Sequence, residues 1–142
     1  MTHHLDEPGA PLLFASGAPG LVVTDVDSTL ITQEVIEELA EAAGTRERVA
    51  EITSRAMNGE LDFAESLRER VATLRGVPDS VFGDVLATIT TTKGARAIID
   101  AVHAAGGHFG VVSGGFEEVV APLAASLGID FYTANRLEVE DG

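Results

Sequence analysis

The composition of this chain excludes several classes of protein. Its 142 residues are enough for one ordinary domain with a hydrophobic core, and 45% hydrophobic content with mixed charge indicates a globular chain. Nine Lys and Arg against 23 Asp and Glu give a formal net charge of −14, which disfavours nucleic acids and anionic membranes as partners. The chain has no cysteine, so disulfides and thiolate metal sites are excluded, and we expect a reducing, cytoplasmic compartment.

The first 19 residues are predicted to form a flexible leader. They lack a basic region, and their apolar stretch is short and broken by Gly and Pro, unlike a signal peptide or a membrane anchor. His3 and His4 could suggest metal binding, but adjacent histidines in such a leader are more often inert.

Strand and helix patterns alternate along the rest of the chain. The apolar, β-branched run Leu21–Thr24 is typical of a buried strand. Helical patterns follow over residues 34–43, 45–59, from 62 onward, after 78, and over 93–105. A strand at 108–113, a Gly-Gly turn, a helix at 116–127 and a strand at 131–134 complete the series.

This order predicts an α/β fold, a Rossmann-like core with a parallel sheet and right-handed crossovers. Residues 20–32 and 91–142 would form the core, and residues 33–90, too long for one crossover, would form an inserted helical cap. Pro122 lies about two turns into its helix, so we expect either a kink there or a later helix start with Pro122 in the first turn.

The last residues carry the signals of a further strand. Leu137 and Val139 alternate with Glu138 and Glu140 as in a half-buried strand, and Asp141-Gly142 is a hairpin-turn signal. We therefore expect the core to be incomplete in this chain, as part of a longer protein.

Two carboxylates follow the first strand. Asp25 and Asp27 are two residues apart, so in an extended backbone their side chains point to the same side, at the carboxyl edge where open α/β sheets bind ligands. Such a pair can hold a hard cation such as Mg²⁺, or can supply a nucleophile and a proton donor. The alternative is a D-x-D turn in an acidic protein.

A second polar motif, VVSGGF, ends the strand at 108–113. Ser113 adds a hydroxyl donor, and the exposed N–H groups of Gly114 and Gly115 precede a helix N-terminus, which together favour an anion. The alternative is a plain strand-to-helix loop. A phosphate cradle here would offset the repulsion of an anionic substrate by the chain's net charge.

The motifs DVDSTL and VVSGGF together resemble the haloacid dehalogenase (HAD) superfamily of phosphatases. The stretches ITQEVIEELA, RAMNGELDFAESLRERV and YTANRLEVEDG are similar to those of its phosphoserine phosphatase family, from about Gly20 to Gly142. The resemblance implies a Mg²⁺-dependent enzyme of serine biosynthesis that hydrolyses O-phospho-L-serine through an aspartyl-phosphate.

The resemblance also implies roles for particular residues. Asp25 would be the nucleophile and Asp27 the general acid and base, and the Asp25 carboxylate and Asp27 carbonyl would bind Mg²⁺. Ser113 and the Gly114 amide would bind the phosphoryl group.

In the cap, Glu34 would hold the substrate ammonium and Arg70 its carboxylate, and Met57 and Phe63 would close over the substrate. Each has a plainer alternative: Glu34 as an acid in a first helical turn, Met57 and Phe63 as core. Arg70 lies about 20° from Phe63 on a helical wheel and could instead form a surface pair, for example with Glu65 or Glu69.

Two further elements that the resemblance implies are not found in this sequence. They are a lysine that binds the phosphoryl group and a G-D-G-x-N-D loop that completes the metal site. Lys93 does not match that lysine, because it opens the helical pattern after the predicted cap. We expect this polypeptide alone to be poorly active and its first strand to be an exposed edge that favours self-association. The alternatives are a phosphatase or phosphotransferase for another small phosphomonoester, or a non-catalytic fragment.

Overall fold

The computed structural model of the chain describes residue 17 and residues 19–142. The predicted leader, with His3 and His4, therefore lies almost entirely outside the described residues. Three strands form one sheet: β1 (Leu21–Thr24), β2 (His108–Phe116) and β3 (Phe131–Asn135). They pair in parallel in the order β1-β2-β3, which confirms the predicted α/β fold with a parallel sheet.

Six α-helices accompany these strands in the described part of the chain. Their bounds are α1 (Val35–Ala43), α2 (Arg46–Met57), α3 (Phe63–Ala72), α4 (Val81–Thr88), α5 (Ala95–Ala104) and α6 (Glu117–Leu127). An irregular turn, Val26–Leu30, follows β1. Within the described residues, none of the helices has the length and apolar content needed to cross a membrane.

The chain divides into two compact units. Of the described residues, the first unit contains the sheet, with those up to Thr32 and Thr90–Leu137, and the second contains Gln33–Ile89 and Glu138–Gly142.

The core of the first unit lies on one side of the sheet. Alternate residues of β2 point to opposite faces, and Phe109 and Val111 are buried on the face against which α5 and α6 pack. The two helices contribute their own apolar stripes, which include Ile99 and Val102 from α5 and Val119, Val120 and Leu123 from α6. The central strand of the sheet, β2, is therefore covered by α5 and α6 on this face.

The second unit is a cluster of helices in which α2 packs against both α1 and α3, and α4 against α1. The helix α3 begins with a capping box: the Asp62 carboxylate accepts from Glu65 N at 2.8 Å, and Glu65 accepts from Asp62 N at 3.0 Å. Asp62 and Glu65 stand three residues apart in the sequence, the spacing that is typical of this arrangement.

Asp130 joins the amino end of β2 to the end of α5. Its Oδ2 accepts a hydrogen bond from Phe109 N at 2.7 Å and lies 2.7 Å from His103 Nε2. The Phe109 N–H, and then the His103 ring, hold the pKa of Asp130 below its ordinary value. His103 thus has a structural contact that links α5 to the residue before β3.

Two sequence-based expectations about helix ends are corrected. The strand β2 continues to Phe116, so α6 begins at Glu117, with a shift of register in β2 between Val112 and Phe116. The helix does not begin near Pro122, which lies inside it, exposed to solvent. The loss of one N–H at this exposed position is compatible with the helix because its buried stripe packs against the sheet.

The predicted strand at the end of the chain is also corrected. Residues 136–140 have no strand structure, and Asp141 has a left-handed φ of 53°. A strand is defined by its hydrogen bonds to a neighbour, and alternating residues alone do not supply that neighbour.

Because Gly110 has no side chain, the Phe131 ring can lie over the neighbouring strand β2. The two residues are direct partners in β2 and β3, and a Cβ at Gly110 would overlap the Phe131 ring. The ring occupies the space that a side chain at residue 110 would take. A large aromatic side chain at residue 131 therefore requires glycine at residue 110.

We predict that Gly110→Ala lowers the free energy of unfolding by about 1–3 kcal/mol, because the methyl group forces the Phe131 ring out of its place. Urea denaturation of the two single variants and of the double variant Gly110→Ala/Phe131→Leu measures the interaction free energy between the two residues. The cost of the alanine should shrink in the double variant. Equal costs in the two backgrounds would contradict the contact.

Candidate active site

Asp25 and Asp27 lie directly after β1. Asp25 follows Thr24, whose partner in β2 is Val111. Both aspartates have extended backbone angles, φ −75° and ψ 165° for Asp25 and φ −59° and ψ 130° for Asp27, and Val26 between them is fully buried. The aspartates therefore point away from the core, on the side opposite to Val26.

The chain changes direction immediately after this pair. Ser28 has a left-handed φ of 54°, and the irregular turn that includes it ends at Leu30, which is buried. The Asp25 Oδ1 atom accepts a hydrogen bond from Val26 N at 2.7 Å, which restrains an exposed carboxylate in one orientation. A fixed, exposed carboxylate is suited to nucleophilic attack or to metal binding.

Ser113 and Asp27 face the same small space. Ser113 is buried near the end of β2, and its Oγ accepts a hydrogen bond from Gly115 N at 2.9 Å. A Cβ added at Gly115 would lie 3.0 Å from Ser113 Oγ and 3.5 and 3.8 Å from the two Asp27 carboxylate oxygens. The fold thus brings the polar ends of two strands, distant in the sequence, to one point beside Gly115.

The remaining predicted substrate residues lie in the second unit. Glu34 is the residue before α1, and Met57 is the last residue of α2. Phe63 is the first residue of α3. Met57 is 84% exposed and Phe63 is 64% exposed, so the alternative that they form part of a core is wrong.

Arg70 is half-buried on α3 and has no carboxylate partner among the described residues. Its Nε donates to Ser66 O at 3.3 Å. The partners proposed for a surface pair are engaged elsewhere: Glu69 pairs with Arg55 at 3.0 Å, and Glu65 belongs to the capping box. The surface-pair alternative for Arg70 is therefore not realised with either residue.

This situation distinguishes Arg70 from other arginines in the second unit. Arg48, Arg68 and Arg75 also lack an ion pair within the part of the chain that the structure describes, but they are exposed to solvent. Water can satisfy an exposed guanidinium, whereas a half-buried one loses part of its hydration.

Sequence reasoning missed the last residue of β3, Asn135, and the residue after it, Arg136. Asn135 Nδ2 donates to Gly114 O at 3.0 Å. Arg136 pairs with Glu117 through Nε at 3.0 Å and Nη2 at 2.9 Å, and this carboxylate raises the pKa of Arg136. The available signal was position: Asn135 ends the third parallel strand, as Ser113 lies near the end of the second.

The described residues contain no group of three or more His, Asp, Glu or Cys side chains placed to hold a metal ion. The two aspartates after β1 still fit a Mg²⁺ ion, which usually keeps several waters and is bound through one or two carboxylates and substrate phosphate oxygens.

Comparison with known proteins identifies the family. The sequence matches the haloacid dehalogenase-like hydrolases over residues 22–142. The chain belongs to the haloacid dehalogenase-like hydrolase family. It is 56% identical over 127 residues to a phosphoserine phosphatase from Streptococcus thermophilus, and the match covers 89% of this chain but 59% of that relative. The present chain therefore spans less than two thirds of the length of this relative.

Solved structures show the same likeness. This chain superposes on a phospho-aspartyl intermediate analogue of phosphoserine phosphatase with a TM-score of 0.80 and 42% identity. The superposition covers 88% of this chain and 60% of the other. A substrate-bound phosphoserine phosphatase gives a TM-score of 0.81 and 40% identity, with 89% and 60% covered. The predicted resemblance to HAD phosphoserine phosphatases is confirmed.

Proposed function

We propose that this chain carries the phosphoryl-transfer residues and the substrate-selecting helices of a phosphatase that converts O-phospho-L-serine to L-serine and phosphate. The observation that supports this best is the meeting of the Asp27 carboxylate and the Ser113 hydroxyl beside Gly115, directly after the strand that carries Asp25. The choice of phosphoserine as the substrate follows the names of the relatives. The absence of cysteine is compatible with a reducing cytoplasm as the compartment.

The proposed reaction has two steps. In the first, the Asp25 carboxylate attacks phosphorus, an Asp25 O–P bond forms, and the bond from phosphorus to the serine oxygen breaks. Asp27 gives a proton to that oxygen as serine leaves. In the second, Asp27 takes a proton from water, the water oxygen attacks phosphorus, and phosphate leaves with Asp25 restored.

The phosphoryl oxygens would be held by Ser113 and the Gly114 amide, which lie in β2 shortly before α6. N–H groups at a helix N-terminus favour an anion, and donors fixed in advance stabilise charge that develops during phosphoryl transfer. Mg²⁺, held by the Asp25 carboxylate and the Asp27 carbonyl, would supply charge neutralisation at the phosphoryl oxygens when bound.

We propose that the helices of residues 33–89, the larger part of the second unit, form the cap that selects the substrate. Arg70 is a half-buried guanidinium without a carboxylate partner in the described residues, so a substrate carboxylate would complete its hydrogen bonding. Glu34 would bind the substrate ammonium. Met57 and Phe63 are exposed apolar side chains on either side of the loop between α2 and α3, as expected of groups that close over a ligand.

The phosphatase proposal is tested in a chimaera that joins residues 20–142 to the remaining C-terminal residues of the Streptococcus thermophilus relative. We predict hydrolysis of phosphoserine in the presence of Mg²⁺ and its loss on chelation. Asp25→Asn should abolish turnover because the nucleophile is lost, and Asp27→Asn should lower kcat by about 10²–10⁴-fold because proton transfer is lost. Release of phosphate is the measurement.

Asp100→Asn, an exposed aspartate of α5 in the same unit, is the matched control and should leave kcat unchanged. Wild-type turnover by the Asp25→Asn chimaera would refute the proposed chemistry. The 142-residue polypeptide, which has a single lysine and no G-D-G-x-N-D stretch, should be much slower than the chimaera. If neither hydrolyses a phosphomonoester, the non-catalytic alternative is favoured.

Arg70 should determine the choice of substrate. In the chimaera, Arg70→Met should raise KM for phosphoserine by roughly 10–100-fold, since a hydrogen-bonded charge contact is lost. The KM for phosphoethanolamine, which lacks the carboxylate, should stay unchanged. Arg68→Met, on the same helix but exposed, is the control. Equal effects on both substrates would contradict the assignment, and faster wild-type turnover of another phosphomonoester would favour a different substrate.

We also propose that a second copy of this chain covers the open face of its sheet. This open face consists of Leu21, Val23, Val112 and Phe131, which alternate on the side of the sheet opposite to Phe109 and Val111. Leu21, Val23 and Val112 are 56%, 47% and 52% exposed, and β1 is an edge strand. Burying such side chains contributes about 1.5–3 kcal/mol each, and a free edge can pair with another chain.

We predict concentration-dependent dimers of the 142-residue chain in sedimentation velocity, with tighter association at higher salt, which screens the net charge of −14. Val23→Lys should give monomers because it places a charge on the open face. Val139→Lys, at an exposed valine outside that face, should not. A monomeric wild-type chain at millimolar concentration would refute the proposal.

A further inference from the structure

We propose that Asn135 is a positioning residue that holds the peptide between Gly114 and Gly115 in the orientation that an incoming phosphoryl group requires. The proposal rests on the proposed function and adds a residue to it. Asn135 does not touch the predicted nucleophile; it would act through the backbone of the motif that binds the phosphoryl group.

The Gly114–Gly115 peptide is held at both ends. Its carbonyl, Gly114 O, accepts from Asn135 Nδ2 at 3.0 Å. Its amide, Gly115 N, donates to Ser113 Oγ at 2.9 Å. In a planar trans peptide the C=O and N–H groups point in opposite directions, so the two hydrogen bonds fix one orientation of the same plane.

The regular sheet does not fix this orientation. Val112 pairs with Thr133 and Phe116 pairs with Asn135, so the three residues 113–115 of β2 stand opposite a single residue of β3. The peptide also lies between two glycines, which permit backbone rotations that other residues resist. Without the two side-chain hydrogen bonds, this peptide could rotate at little cost.

The opposite orientation would damage the anion site. A rotated peptide would direct Gly114 O, rather than Gly115 N–H, towards Ser113 Oγ. The Ser113 hydroxyl would then donate to that carbonyl, and a partial negative charge would face the phosphoryl oxygens. In the observed orientation Ser113 Oγ accepts from Gly115 N, which leaves the hydroxyl hydrogen available to donate to a phosphoryl oxygen.

Asn135 is itself held by the residues after it. Arg136 pairs with Glu117 in the first turn of α6, and Leu137 N donates to Glu118 Oε1 at 2.8 Å. These contacts fasten the chain after β3 to the start of α6. The Asn135 amide is therefore presented to Gly114 O although its side chain is exposed.

The test uses the ¹⁵N-labelled 142-residue chain, amide hydrogen exchange without ligand, and titration with inorganic phosphate. Asn135→Leu keeps the size of the side chain but removes the donor. We expect exchange of the Gly115 amide to quicken about tenfold and the dissociation constant for phosphate to rise about tenfold, the effect of one lost hydrogen bond. Asn135→Gln keeps an amide donor and should recover part of both losses.

Tyr132→Phe is the matched control, because it removes the 3.5 Å contact of Tyr132 Oη with Glu117 from the same strand without touching Gly114. It should change neither quantity. If Asn135→Leu does not fold, Asn135→Ser, whose hydroxyl is too short to reach Gly114 O, replaces it with the same expected losses.

Two results would overturn the proposal. The first is a folded variant without the donor in which both quantities stay within about twofold of wild type. The second is equally faster exchange at Val111, which would mark a general loosening of the sheet. The exchange measurement needs no substrate, so failure of the chimaera to hydrolyse phosphoserine would refute the proposed function while the role of Asn135 is judged separately.

Discussion

Parallel pairing of β1 with β2 is the constraint on which the rest of the site depends. The pairing joins Leu21–Thr24 to His108–Val111, segments that are distant in the sequence, and gives both strands the same direction. Their carboxyl ends therefore reach the same edge of the sheet, where Asp27 and Ser113 meet beside Gly115. A shift of one residue in this register would turn Val26 outward and the aspartates inward.

The electrostatics of the site are local rather than global. The net charge of −14 repels a phosphate ester, and Glu117 and Glu118 lie in the first turn of the helix that would receive it. The structure offsets the nearest acids individually: Arg136 pairs with Glu117, and Leu137 N donates to Glu118. Under the proposed function, the Gly114 amide would then act as an anion donor despite the acidic composition.

The two predicted groups of site residues have different physical origins. Asp25 and Asp27 follow β1, and Ser113 and Gly114 lie in the last part of β2, so the topology of a parallel sheet was enough to place them at one edge. Arg70 depended on partners that spacing could not reveal. Glu69 is equally close in sequence, but it pairs with Arg55 of the preceding helix, and this leaves Arg70 as the half-buried guanidinium without a carboxylate in the described residues.

The sequence alone determined the order of strands and helices, the parallel sheet, the capping box of α3 and the family. These features follow from local periodicity, capping residues and short motifs, which depend on neighbours in the chain. The tertiary structure decided that β2 continues to Phe116, that residues 136–140 form no strand, and that Asn135 contacts Gly114. Each of these depends on which backbone lies alongside another, because hydrogen bonds between segments distant in sequence leave no periodic signal in either one.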